Sequence, residues 1–158
     1  MGLGGNLGSP ELAFRAALEG LAADVDGLVL SPLYVTAPVG GPPQPDFLNA
    51  VATGRTRRTP LELLALFRRL EDEAGRDRPA ARNGPRTLDL DLLLYDDLVV
   101  DLPGLVVPHP RMAERRFVLA PLADLLPDRV VPGTGRTVAS LLASAPAARV
   151  ERRAGRPA

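Results

Sequence analysis

Gly84-Pro85-Arg86-Thr87-Leu88-Asp89-Leu90-Asp91 places two carboxylates two residues apart at the head of the most apolar run in the chain. From Leu88 to Tyr95 the order Leu-Asp-Leu-Asp-Leu-Leu-Leu-Tyr begins with strict alternation, the period of a strand with one apolar and one polar face. Asp89 and Asp91 then share a face, with Cα atoms roughly 6–7 Å apart, near enough to share one or two hard cations. Without a cation they repel each other. A solvated strand face is the ordinary setting for such a pair, but the neighbours narrow the reading. Gly84-Pro85 makes a rigid approach, Arg86 sets a guanidinium beside the acids and Thr87 adds a hydroxyl. Metal-holding carboxylates next to a fixed Arg suit phosphate chemistry, where magnesium and Arg together neutralise the transferred group.

Upstream of this stretch, residues 76–86 carry Arg76, Arg78, Arg82 and Arg86 with one acid, Asp77, among Pro and Gly. This is expected to be a mobile, basic second loop leading into the acids. Before it, Thr59-Pro60-Leu61-Glu62 is a capping box with Pro at the first helical position, and Leu63, Leu64, Phe67, Leu70 and Ala74 recur at helical spacing until Gly75. Glu71 falls in the last turn, where the dipole disfavours a carboxylate; a solvated surface position and a functional acid both fit. Phe47 to Thr56 reads as a strand, and Asn49 within it can read the edge of a heterocycle or satisfy neighbouring backbone. Ala37 to Pro45 is too rich in Pro and Gly for regular structure and is long for a loop in a small domain, so a lid and a tolerated insertion are both open.

The N-terminal Gly2-Leu3-Gly4-Gly5-Asn6-Leu7-Gly8 lacks the glycine spacing of a dinucleotide loop and reads as a short strand running into a turn. A helix follows, with Ser9 as N-cap and Pro10 first, to about Ala23. Leu28 to Thr36 reads as a strand with Pro32 at a bulge or edge. Beyond Asp96-Asp97, Leu98 to Val107 reads as strand interrupted by Pro103-Gly104. His109 sits rigidly between Pro108 and Pro110, expected to be exposed. Arg111, Arg115 and Arg116 fall on a short helix, Phe117 opens an apolar run to Leu126 divided by Pro121, and Thr137 caps a last helix to Ala145. Residues 1–148 are expected to form one domain, with 149–158 a frayed, flexible tail.

Composition bounds the chemistry. There is no Cys, so a metal must be held by oxygen or by the single His109. All 19 basic residues are Arg, which removes a P-loop and any mechanism that needs a catalytic lysine. A net charge of zero argues against a general nucleic-acid binder. No run approaches the roughly 20 apolar residues of a membrane span and no signal peptide stands at the start, so a cytoplasmic, monomeric protein without membrane association is expected. With only six aromatic residues the core is aliphatic, and Phe47 and Phe117 are the rings that stand beside polar loops.

Taken together, Gly84 to Asp91, Gly4-Gly5-Asn6-Leu7-Gly8, Pro45-Asp46-Phe47-Leu48-Asn49-Ala50, Val107-Pro108-His109-Pro110-Arg111-Met112 and Glu114-Arg115-Arg116-Phe117-Val118-Leu119 closely resemble the 6-hydroxymethyl-7,8-dihydropterin pyrophosphokinase family over nearly the whole chain. The resemblance implies an α+β fold, a ferredoxin-like antiparallel sheet with helices on both faces and two long catalytic loops. It implies transfer of pyrophosphate from ATP to 6-hydroxymethyl-7,8-dihydropterin with release of AMP, and two magnesium ions held by Asp89 and Asp91. By the same resemblance Arg76 and Arg86 steady the transferring group, while Arg86, His109, Arg115 and Glu71 reach ATP. Thr36, Pro38, Phe47, Asn49, Phe117 and Glu71 form the pterin site. Two departures stand out: the strand before the Gly-Gly-Asn turn is very short where the family has several more residues, and Asn83 stands where the family commonly carries a tryptophan that folds over the substrates. The competing readings are another magnesium-dependent nucleotidyl or phosphoryl transferase and a ferredoxin-like ligand-binding or regulatory module whose Asp face is merely solvated.

Overall fold

The computed structural model describes residues 1–76 and 82–154; Asp77 and Arg78 of the second loop lie outside them. In chain order its elements are β1 (Gly2–Gly5), α1 (Pro10–Leu21), β2 (Val25–Leu30), β3 (Tyr34–Thr36), β4 (Phe47–Thr56), α2 (Pro60–Glu73) and β5 (Asp89–Asp91). There follow a hairpin of β6 (Val100–Leu102) and β7 (Leu105–Val107), a 3-10 turn at Met112–Glu114, α3 (Arg116–Leu125), a small hairpin of β8 (Val130–Val131) and β9 (Arg136–Thr137), α4 (Val138–Ser144) and β10 (Val150–Arg152).

β4 organises the main sheet. The order is β10-β3-β4-β1-β5, with β2 also paired to β4, and every pairing is antiparallel. Residues opposite one another in an antiparallel ladder share a face. Leu3, Leu48, Ala50 and Leu90 therefore point together towards α1 and α2, where they bury against Phe14, Leu21, Leu63, Phe67 and Leu70. Phe67 is fully buried, and burial of such a side chain contributes about 2–3 kcal/mol. The opposite face packs at Val51 and beyond it at Leu93 against Val118, Leu119 and Leu122 of α3 and Val138 and Leu141 of α4. Helices thus cover both faces of an α+β sheet.

The local signals in the sequence set most helix ends. Thr59 Oγ1 accepts from the Glu62 amide at 3.3 Å while Glu62 Oε2 accepts from the Thr59 amide at 2.7 Å, which fixes the start of α2. Thr137 caps α4 by accepting from the Ser140 amide at 3.1 Å. Pro121, expected to divide its segment, lies inside an uninterrupted α3.

Three strand expectations are corrected. The single strand expected over Leu28 to Thr36 is two, starts at Val25, and breaks at Ser31-Pro32-Leu33. Pro32 has no amide to donate, and at the break the buried Ser31 holds β4 instead, its amide donating to the Val51 carbonyl at 2.8 Å and its hydroxyl accepting from the Val51 amide at 3.0 Å. The strand expected to run from Leu88 to Tyr95 ends at Asp91, because its partner β1 supplies only Gly2 to Gly4 for pairing. Leu92 and Leu93 are apolar because they are buried, not because they pair. In the tail expected to fray, Val150–Arg152 forms the sheet edge opposite Tyr34 to Thr36. No described helix is long and apolar enough to cross a membrane.

Candidate active site

Gly4 lies between Asn49 on β4 and Asp89 on β5, and Gly2 lies between Val51 and Asp91. The two glycines are the floor of a cleft whose walls are their cross-strand neighbours. A Cβ on Gly4 would stand 3.1 Å from Asn49 Oδ1, so any side chain there would push into the cleft. The cleft has a volume of about 120 Å³. Thr36, Phe47, Asn49, Arg86, Asp89, Asp91, Arg115 and Phe117 all line it, drawn from five separate segments of the chain.

The carboxylates are held by cations already present. Asp89 accepts from Arg76 Nη1 on one oxygen and from Arg86 Nη1 on the other, each at 2.9 Å. Arg76 Nη1 also lies 2.6 Å from Glu71 Oε1, so this guanidinium bridges α2 to β5. Glu71 itself is buried, which corrects the solvated alternative: its Oε1 accepts from the Leu90 amide at 2.8 Å and so clamps the helix to the strand. Burial pushes the Glu71 carboxyl up, partly offset by that amide and by Arg76. Asp91 is pushed up to about 6, first by burial and then by the charge of Asp89, with Arg115, Arg86 and Arg76 pulling the other way.

Two aromatic rings face the cleft, each beneath a guanidinium. Arg86 Cζ stands 6.0 Å from the Phe47 centroid and Arg115 Cζ 5.6 Å from that of Phe117. Between them the buried Asn49 donates through Nδ2 to Thr36 Oγ1 at 2.7 Å, which turns its carbonyl oxygen towards the Gly4 floor. The site therefore combines a flat apolar space, an amide edge, two acids and a wall of Arg.

Some expected members stand apart. Pro38 does not line the cleft, although Ala37 and Val39 on either side of it do. His109 does not line it either, and it is half-buried rather than exposed. Its backbone amide donates to the Leu93 carbonyl at 2.9 Å, and its Nδ1 accepts from the Arg111 amide at 3.2 Å. Burial, with Arg115 and Arg111 nearby, lowers its pKa, and an Nδ1 that accepts an amide leaves the ring proton to Nε2. The Thr87 hydroxyl is buried without a partner rather than joining the acids.

Asn6 was quoted in the N-terminal turn without a role, and it proves to be the junction of the site. Its Oδ1 accepts from the Arg86 amide at 2.9 Å, and its Nδ2 donates to the Gln44 side chain at 3.0 Å and to the Pro45 carbonyl at 2.9 Å. Gln44 in turn donates to the Asn83 carbonyl at 2.7 Å, at a residue whose φ of 55° suits Asn. The N-terminal turn thereby ties the first loop to the segment that carries Arg86. Gly5 completes the contact, since a Cβ there would lie 2.5 Å from the Thr87 carbonyl oxygen. A lone amide side chain in each of two Gly- and Pro-rich turns was the available signal.

A family model described as 7,8-dihydro-6-hydroxymethylpterin-pyrophosphokinase matches residues 1–127. The chain is 45% identical over 155 residues to 2-amino-4-hydroxy-6-hydroxymethyldihydropteridine pyrophosphokinase of Pseudomonas aeruginosa, covering 97% of this chain and 94% of that one. It is 46% identical over 125 residues to the protein of the same name from Bacillus subtilis, covering 78% and 74%. A folate synthesis bifunctional protein of Arabidopsis thaliana is 45% identical over 126 residues, which span 78% of this chain and 26% of the plant protein.

Proposed function

Since the chain belongs to the 7,8-dihydro-6-hydroxymethylpterin-pyrophosphokinase family and is therefore an ATP-dependent diphosphotransferase, we propose that it moves the β,γ-pyrophosphoryl group of ATP to the hydroxymethyl oxygen of 6-hydroxymethyl-7,8-dihydropterin. The hydroxymethyl oxygen attacks the β-phosphorus, the bond from that phosphorus to the oxygen bridging it to the α-phosphate breaks, AMP leaves with the bonding pair, and the hydroxyl proton passes to solvent. The observation that carries this reading is the shared cleft: an acid pair, two Arg, two rings and the Asn49 amide line one space, with Arg76 paired to Asp89 at its border.

Within it, Asn49 hydrogen-bonds the pterin edge, with Thr36 fixing the amide, and Phe47 and Phe117 bracket the ring; Pro38 belongs to the loop above. Arg86 and Arg76 neutralise the transferring group, and Arg115 with His109 meets phosphate from the α3 side. Glu71 keeps Arg76 and β5 in register. The family's catalytic loops correspond in this reading to residues 37–45 and 76–86. The succession β1-α1-β2-β4-α2-β5, with strand order β5-β1-β4-β2, supports a ferredoxin-like core.

Magnesium fits the donor set. Asp91 is held up at about 6 by burial and by the Asp89 charge, a repulsion that a cation between them removes. Among the described residues no cluster of three or more potential ligands surrounds the pair, which suits an ion that completes its shell with phosphate oxygens and water. Asp89 and Asp91 would hold two such ions, whose chemistry is to offset charge on the bridging phosphates. Arg76 and Arg86, which pair with Asp89 here, would with the ions in place be available to phosphate.

The deciding experiment is product identity after incubation with ATP, magnesium and the pterin. AMP and pterin diphosphate are expected in equal amounts, and only with magnesium. ADP in place of AMP would indicate a simple kinase and overturn the proposal, as would the absence of product from folded protein.

A further inference from the structure

β3 brings Thr36 to the cleft on only three residues, and Pro32 and Pro38 on either side keep it from lengthening. Its inner edge pairs with β4, Tyr34 opposite Asn49 and Thr36 opposite Phe47. Its outer edge pairs with β10, Val150 opposite Thr36, Glu151 opposite Val35 and Arg152 opposite Tyr34. Ladder bonds alternate along a strand. The Arg153 amide donates to the Leu33 carbonyl at 2.8 Å, so the next residue of β10 to bond in that direction is Glu151, with Val35 as its partner. β3 is therefore held between two ladders, by Tyr34 and Thr36 on one side and by Val35 on the other.

The residues that flank β10 fasten it at both ends. Arg149 Nη1 lies 3.6 Å from Asp46 Oδ2, and its Nε donates to Glu151 Oε1 at 3.0 Å. Asp46 closes the connection that Thr36 opens, so one short segment meets both roots of the loop 37–45. At its other end the Arg153 side chain pairs with Glu11 of α1. The segment is thus anchored on a helix as well as on the strand it holds.

We propose that residues 149–153 are a brace that positions the heterocycle half of the cleft, an inference that rests on the pterin reading of that half. Thr36 Oγ1 accepts from Asn49 Nδ2 at 2.7 Å, and a drift of roughly 1 Å at Thr36 breaks that bond. Asn49 then loses the orientation of its amide. Ala37 and Val39, which also line the cleft, lose the fixed start of their loop. The acid pair does not share this dependence, because β4 and β1 stand between β3 and β5. Binding of the heterocycle should suffer while the phosphate end is spared.

The test compares Glu151→Pro, which deletes the amide facing Val35, with Glu151→Ala, which keeps it. The proline variant is expected to raise KM for the pterin about tenfold, with KM for ATP and kcat within about twofold of the parent, and to speed exchange of the Asn49 side-chain amide protons in NMR spectra. The alanine variant should match the parent. Equal rises in both KM values with a fall in kcat would make β10 merely structural and overturn the proposal, as would an unchanged KM for the pterin. A parent that makes no pterin diphosphate defeats the pterin reading alone; the brace is then judged on Asn49 exchange without substrate, and equal exchange in all three proteins overturns it. Should Glu151→Pro fail to fold, Arg149→Asp carries the same test from an exposed site. It should raise KM for the pterin by about two- to threefold, adding Asp46→Arg should restore it, and no rise or no restoration overturns the proposal.

Discussion

The cleft over β1 faces Asp89 and Asp91 with Arg76, Arg86 and Arg115, whereas a second cavity, of about 530 Å³, is lined chiefly by Leu63, Leu92, Leu122 and Leu126 with Thr53 to Thr56 of β4. Both cavities touch β4. In the cleft, glycines leave room on a paired ladder and the charges answer one another across it. The contrast teaches that opposed charges, rather than the larger volume, mark the candidate ligand site.

Removing Asp89 should break the comparison at its charged end. Asp89→Ala deprives Arg76 and Arg86 of their shared partner and, in the proposed reading, the metal site of a ligand, and a loss of turnover of about 10³-fold or more is expected, with the circular dichroism spectrum retained. Full activity in the variant would sink the metal-site assignment. Arg86→Ala should lower kcat by roughly 100-fold, about 3 kcal/mol, with a much smaller change in Tm; unfolding instead would make Arg86 a structural residue.

The acid end of the cleft should also show itself in pH. Asp91 in the folded chain is pushed up to about 6, above its ordinary value of 3.8, so its contribution to stability is complete below about pH 4 and is lost as pH rises through 6. Asp91→Asn should remove that limb, gaining about 3 kcal/mol at pH 8 while losing catalysis, as read from denaturant unfolding across pH. A variant less stable than the parent at pH 8 would show that Arg115 and Arg86 outweigh the desolvation. The smallest expected effect is at the junction: Asn6→Ala should cost about 1.5 kcal/mol and raise KM for both substrates more than it lowers kcat. An unchanged KM would separate the tie from substrate binding.

What was legible in the sequence was local. The Thr59 capping box, the span of β4 and the alternation at Asp89 and Asp91 each depend on residues within a turn of one another, and each stands where it was expected. What was not legible depended on partners far along the chain. β5 stops at Asp91 because β1 gives it no more to pair with, and Glu71 is buried only because β5 docks over the last turn of α2. The edge strand at Val150 needs β3, more than a hundred residues away, to exist at all. Asn6 belongs with these: its three bonds reach to Gln44, Pro45 and Arg86, and nothing beside it in sequence announces them.

The glycine floor has a practical consequence as well. Because a Cβ at Gly4 would stand 3.1 Å from Asn49 Oδ1, a substitution at that one position crowds the cleft while leaving both acids and every Arg in place.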